Sequence, residues 1–297
     1  MLFKNAHLYR ITSPEFDISE GVLSEQSFVP CSGIRPSSFG WVSPLLDPEG
    51  PLSHEVAGSL LLAAKREDKI VPTSALADVM AEKMDRLESM EGRKLRAKEK
   101  QRLKDDAKAE LLPRALPRSK IVRGFITPAD RLLVIDTASS TEAELFINCL
   151  RDSLGSFSVV PPQVKSKPAD VFTNWLNSRK LPDNFSLADS CDLLDPETGS
   201  TVTCRKQDLN TREVQAHLDA GKQCSRIGLH WYGDLKFTLD KDLILRQIKL
   251  ETSDDDKLED EDPIASLDAA FVNMTLEFAR FLPALFSALG GEHVESD

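Results

Sequence analysis

The sequence lacks the short motifs that usually mark a catalytic site. It has no Walker A loop, no GxGxxG and no G-x-S-x-G. Its five histidines (His7, His54, His217, His230 and His293) form no H-x-x-x-H or HExxH set. His230, beside Trp231, reads as structural. The five cysteines (Cys31, Cys149, Cys191, Cys204 and Cys224) are odd in number, scattered and never spaced C-x-x-C. Neither a disulfide framework nor a zinc site is indicated, which leaves buried or idle thiols as the expectation. Lys4, His7 and Arg10 interrupt the opening stretch Met1–Ile11, so it has no apolar signal core. Asp268, Glu277, Arg280 and Pro283 break the longest apolar stretch, Ile264–Leu289, which argues against a membrane span. No internal repeat is visible. A cytoplasmic protein with no cofactor and no metal is expected.

What is present is a folded, soluble composition. The chain has 297 residues, of which 41% are hydrophobic and 29% charged. This is about two domain-equivalents and enough to bury a sizeable core. The net charge of -11 argues at first against a polyanionic partner. The charge is strongly segregated, however. Arg93 to Arg123 holds twelve cations against four anions (Glu99, Asp105, Asp106 and Glu110), a net of +8 that leaves -19 elsewhere. A molecule polarised in this way can hold a polyanion on one face while the rest stays acidic and soluble.

The patterning predicts an α+β chain with antiparallel sheets and a protruding basic helical hairpin. Leu2–Ile11 alternates as a strand, and Glu20–Gln26 reads as a short helix. Residues 28–51, rich in Pro and Gly, read as loop. Gly58–Ala64 and Lys69–Val71 read as a strand pair about a turn at Arg66-Glu67-Asp68. Ser74 is the expected N-cap of a helix carrying the stripe Leu76, Met80, Met84 and Leu87, broken at Gly92. A second helix is expected from about Lys94 to Leu112, ended by Pro113. Strands at 120–126 and 131–136, a helix over 140–154 closed by Gly155, and a strand at 157–160 form a strand-strand-helix-strand unit. Further along, a short helix is expected at 169–177, a strand at 202–205 and a helix over 208–220. A meander follows over 223–231, 235–239 and 243–250. The acidic run 254–262 reads as a solvated linker in preference to a metal site. A strongly amphipathic helix follows, with Pro263 near its start. It is expected to pack in the core, with a dimer contact as the alternative. The expected divisions are 1–73, an N-terminal part of a central body; 74–118, the basic arm; 119–180, the strand-strand-helix-strand unit; and 181–297, a C-terminal α+β part.

The basic stretch is the main candidate site. Lys94, Lys98 and Arg102 recur every four residues, as do Lys100, Lys104 and Lys108 on a neighbouring face. Like charges at that spacing repel, and a phosphate backbone would relieve the repulsion. A solvated helix face is the plain alternative. Arg114, Arg118, Lys120 and Arg123 extend the charge without an acid among them, and contact with the acidic run 254–262 is the competing reading. Arg205, Lys206 and Gln207 precede an expected helix start whose amides could meet a phosphate, although Asp208 could cap that start instead. Lys222 belongs to the same weakly basic region. A different class of reading is a non-enzymatic scaffold whose basic arm docks on an acidic partner. A nuclease would need a carboxylate constellation that the sequence does not display.

Several segments, taken in order, resemble the RdgC family. They are Phe3-Lys4-Asn5 with Tyr9-Arg10, Phe28-Val29-Pro30-Cys31, Gly40-Trp41-Val42-Ser43-Pro44, and Leu111-Leu112-Pro113-Arg114-Ala115. Leu150-Arg151, Ser153-Leu154-Gly155-Ser156, Val159-Val160-Pro161, Lys206-Gln207-Asp208-Leu209 and Gly221-Lys222 complete the series. Two departures stand out. Leu2 replaces the Trp that family members carry before Phe3, and Leu116-Pro117 follows Ala115 where the family has an aromatic, a position suited to a dimer junction. The resemblance implies a homodimeric ring whose positively charged hole encircles duplex DNA without sequence preference. It also implies a nucleoid-associated protein that restrains the RecA recombinase by occupying its DNA. The residues expected at phosphate are Lys94, Lys98, Lys100, Arg102, Arg114, Arg118, Lys120, Arg205, Lys206, Gln207 and Lys222, with no catalytic residue.

Overall fold

A computed structural model describes residues 2–45, 47–250 and 262–293. The chain forms two antiparallel sheets and seven α-helices among these residues. The first sheet contains β1 (His7–Ile11), β2 (Ser37–Val42), β3 (Ser53–Val56), β4 (Ser59–Lys69), β5 (Pro117–Thr127), β6 (Leu132–Ile135) and β7 (Val159–Val160). Its order is β2-β4-β5-β6-β1-β7, with β3 also pairing to β4. The second sheet, in the order β12-β11-β10-β8-β9, is built from β8 (Phe185–Leu194), β9 (Thr201–Arg205), β10 (Gln223–Trp231), β11 (Leu235–Asp240) and β12 (Leu245–Leu250).

Helix α7 (Pro263–Ala288) lies between the two sheets. Asp262 caps it, accepting from the Ile264 amide at 2.9 Å, and Pro263 opens it where its missing N–H costs nothing. Its aromatic side chains reach both ways. Phe271 and Phe278 stand edge-on to Phe125 of the first sheet at 5.9 and 5.8 Å. Phe281 meets Trp231 and Phe237 of the second sheet at 5.3 and 4.9 Å. By length and composition α7 could cross a membrane, but its large side chains are spent on this core. Helix α5 (Pro168–Ser178) adds Phe172 and Trp175 to the same core, and α6 (Arg212–Asp219) adds Val214 and Leu218.

The opposite face of the first sheet carries a second core under α1 (Glu20–Ser24) and α4 (Ser140–Leu154). Ser139 caps α4 and Gly155 closes it at φ +71. Trp41 anchors this layer, with its ring 5.1 Å from Phe146 and its indole N–H donating to Ser153 Oγ at 2.9 Å. The two sheets are stitched at one corner. Ala6 and Leu245 exchange backbone hydrogen bonds at 2.9 and 3.0 Å, and the Ile248 amide donates to Lys4 O at 2.8 Å.

Several sequence expectations are corrected. The stretch 28–51 is not all loop, because β2 lies within it, paired with Ala63–Asp68 of β4. The segment read as two strands about Arg66-Glu67-Asp68 is one long strand, β4. Its real hairpin turn is at Ala57 and Gly58, both at positive φ. Charge inside β4 is tolerated because Glu67 is satisfied by the Cys31 amide at 2.8 Å and the Ser119 hydroxyl at 3.1 Å. Helix α2 (Thr73–Glu91) starts directly after Pro72, so Ser74 lies within its first turn and makes no cap. Gly92 ends α2 at φ +64, as its position suggested. Helix α6 begins at Arg212, not 208. Asp208 instead accepts from the Asn210 amide at 2.9 Å in an Asx turn that buries Leu209. The acidic run 254–262 lies outside the described residues, except for Asp262.

Candidate nucleic-acid interface

The predicted cations fall into two groups. Helix α3 (Ala97–Leu111) packs on α2 through Leu103 and Ala107, with Lys83 of α2 2.6 Å from Glu110. With about 100° per residue, Lys98 and Arg102 then lie on one flank of that buried stripe, and Lys100, Lys104 and Lys108 on the other. Lys94 precedes α3 and reaches Glu88 at 2.7 Å, although its side chain is 91% exposed. Arg114 is exposed in the short 3-10 turn Leu112–Arg114, and Arg118 is exposed at the start of β5. Lys120 is committed elsewhere: its ammonium donates to both oxygens of the buried Glu142 at 2.8 and 2.7 Å.

The second group lies on the second sheet. One face of that sheet packs on α7, and the other is an open trough. Three adjoining depressions form it. Ala188, Gln207, Asp208 and His230 mark one end; the middle, of about 390 Å³, holds Arg205, Arg226, Gly228 and Arg246; Lys4 and Asn5 mark the other end. The first two share Asp189, Lys206 and Lys236, and the last two share Gln247 and Lys249. Seven cations line the trough (Lys4, Arg205, Lys206, Arg226, Lys236, Arg246 and Lys249) against three carboxylates, Asp189, Asp192 and Asp208.

Three of the cations are held in place by acids. Arg226 is 2.8 Å from Asp192, Lys236 is 3.0 Å from Asp189, and Arg246 donates from Nε and Nη2 to the single oxygen Oδ2 of buried Asp240 at 3.0 and 2.8 Å. The hydrogen bond from Lys236 holds the Asp189 carboxyl below its usual range. Among the described residues, no carboxylate lies within 4.0 Å of the side-chain nitrogens of Lys4, Arg205, Lys206 or Lys249, although the Lys4 backbone amide donates to Asp136 Oδ1 at 3.1 Å. These four are available to a ligand, while the paired ones stiffen the floor. Lys206 sits at φ +53, where β9 ends and the chain turns along the trough.

Small residues keep the floor shallow. At Gly228 an added Cβ would stand 2.6 Å from Ser190 Oγ and 3.1 Å from Ser190 O. Glycine at this buried position therefore lets Ser190 of β8 pack closely on β10 beneath the trough.

Of the sequence-predicted residues, Arg205, Lys206 and Gln207 line the trough. Gln207 Nε2 donates to Glu213 Oε2 at 3.1 Å. Lys222 does not reach it: its side chain is 13% exposed, and its ammonium donates to Ser200 Oγ at 2.6 Å, pinning the β8–β9 turn. Lys4, Arg226, Lys236, Arg246 and Lys249 were not legible as a site, because only the strand register brings them together. Among the described residues, no group of three or more His, Cys, Asp or Glu is arranged to hold a metal ion.

Fold and surface define a mixed α/β, two-sheet protein with one open, cation-lined sheet face, and comparisons give that class a family. The family model described as "Putative exonuclease, RdgC" matches residues 1–292. The chain is 40% identical to the recombination-associated protein RdgC of Tolumonas auensis over 302 residues, covering 99% of this chain and 100% of the relative. It is 39% identical to the protein of the same name from Aeromonas hydrophila, covering 98% of this chain and 99% of the relative. For the Pseudomonas aeruginosa protein of that name the identity is 37%, covering 99% of each. The chain belongs to the RdgC family of recombination-associated proteins.

Proposed function

We propose that this protein binds DNA without sequence preference, closes around duplex DNA as a homodimeric ring, and limits recombination by denying that DNA to the RecA recombinase. The observation that carries the reading is the trough. Its cations sit on a sheet face stiffened by ion pairs, and four of them have no carboxylate within 4.0 Å of their side-chain nitrogens among the described residues. Such a surface suits a repeating phosphate backbone, where each neutralised phosphate releases counterions, and it offers no fixed set of groups to read base edges. A dimer would double the cationic surface, and the exposed cations of α3 would extend it along the duplex. On this reading the protein is non-enzymatic, cytoplasmic and nucleoid-associated, needs no cofactor, and has no membrane partner.

An exposed apolar cluster supports the dimer. Ile70 donates its amide to Leu116 O at 3.2 Å where the helical pair joins β4 and β5, and their side chains are 48% and 82% exposed. Leu116 stands where the resemblance expects an aromatic, and burial against a second copy would remove both side chains from water.

The family description favours a second reading, an exonuclease. Binding to unrelated duplexes across a salt series tests the first reading. Similar affinities with a steep negative slope of log K against log salt support it, and no binding at low salt overturns it. Divalent-metal-dependent shortening of DNA ends would establish the second.

A further inference from the structure

We infer that Cys191 and Cys204 form a modification site, an intrachain cross-strand disulfide that closes in the folded protein on exposure to a hydroperoxide or an azo thiol oxidant. Cys191 of β8 and Cys204 of β9 are direct partners in the antiparallel ladder. Directly opposed Cα atoms in such ladders lie about 4.5–5.5 Å apart, within the span a disulfide bridges. Both side chains are buried in the same core, where burial, then the neighbouring Cys224 and Cys204, push the Cys191 thiol up.

Cys224 shares this core and is the nearest rival, but it is not the ladder partner of either cysteine. Cys224 is opposite Leu193, and its Sγ donates to Arg226 O at 3.1 Å. Cys149 belongs to the separate core beneath α4, and Cys31 donates to Glu67 O at 3.3 Å on the far sheet. Strand β9 is an edge strand paired only with β8 among the described residues, so a small closure displaces little else.

The chemistry balances with peroxide as oxidant. One thiol attacks a peroxide oxygen, forming a sulfenic acid and releasing water. The second sulfur then displaces hydroxide from the sulfenic sulfur, and a second water leaves as the disulfide forms. Burial keeps the Cys191 thiol neutral at ordinary pH, so the first step is slow and favours small oxidants. The bridge would form whether or not the trough binds a polyanion.

The test oxidises the full chain with hydrogen peroxide or diamide under native conditions, blocks remaining thiols, and maps peptides by mass spectrometry. A peptide linking residues 191 and 204, with Cys31, Cys149 and Cys224 still unlinked, is expected. It should vanish in both C191S and C204S, with circular dichroism showing that each variant is folded. Five unlinked cysteines, a bridge through Cys224 or Cys31, or a link seen only in denaturant would overturn the inference.

Discussion

Lys120 and Glu142 form an ion pair 2.7 Å long that ties β5 to the first turn of α4. Thr137 completes it, its hydroxyl donating to Glu142 Oε2 at 2.5 Å. Burial alone would raise the Glu142 pKa, but the hydrogen bonds from Lys120 and Thr137 hold it below the usual range. A residue read from the sequence as a phosphate contact therefore serves first as a structural clamp. Lys120→Met should cost about 1–2 kcal/mol in urea unfolding, a value kept modest because the lysine is half exposed. Its affinity for duplex DNA should change less than that of Lys206→Gln.

The same pair sets a pH dependence. A carboxylate with a depressed folded-state pKa contributes stability that is fully present above its unfolded pKa of about 4.3 and is lost as pH falls through the lower folded value. Wild type should lose stability below that point faster than Glu142→Gln, which carries no titrating group there. Parallel unfolding curves for the two proteins between neutral and acidic pH would contradict this.

Neutralising the unpaired trough cations should flatten the salt dependence of DNA binding. Arg205→Gln, Lys206→Gln and Lys249→Gln together should lower the slope of log K against log salt by about 2–3, close to one unit for each phosphate contact removed. The loss should be alike for unrelated sequences. A loss confined to one sequence would mean base readout.

Gly40 should resist substitution more than Gly124. An added Cβ at Gly40 meets backbone, 2.6 Å from Phe28 Cα and 2.8 Å from Gln26 O. At Gly124 it meets a side chain, Phe146 Cζ, at 2.7 Å. Backbone cannot rotate aside, so Gly40→Ala should destabilise by about 3 kcal/mol or more, and Gly124→Ala by about 1–3 kcal/mol. Thermal melts of the two variants decide the order.

If the cluster around Leu116 closes a dimer, a charge there should open it. Leu116→Glu, 82% exposed in the single chain, should leave the unfolding midpoint of the protomer within error and shift sedimentation towards monomer. An unchanged sedimentation coefficient would place the dimer contact elsewhere.

Local signals in the sequence located what local chemistry decides. Gly92, Gly155 and the pair Asp262-Pro263 mark helix ends because caps are built from adjacent residues. β2 was hidden in a Pro- and Gly-rich stretch because it is a strand only by virtue of β4 beside it. Arg66-Glu67-Asp68 mimicked a turn because the groups that donate to the Glu67 carboxylate, the Ser119 hydroxyl and the Cys31 amide, are remote in sequence. The trough failed to show for the same reason. Arg205, Lys236 and Lys249 are separated by whole strands, and only the ladder places them on one face. The charge-rich run 93–123 was plain to see, but the structure divides it among a helix, a turn and a strand.

The stitch between Ala6 and Leu245 bears on how the chain comes to be folded during synthesis. β1 is made before its flanking partners, β6 and β7, which lie more than a hundred residues downstream, and the residue beside it waits for Leu245. β1 thus stays unpaired until strands far along the chain have been made. Such long-range pairing slows folding and leaves a nascent hydrophobic edge exposed until its partners emerge.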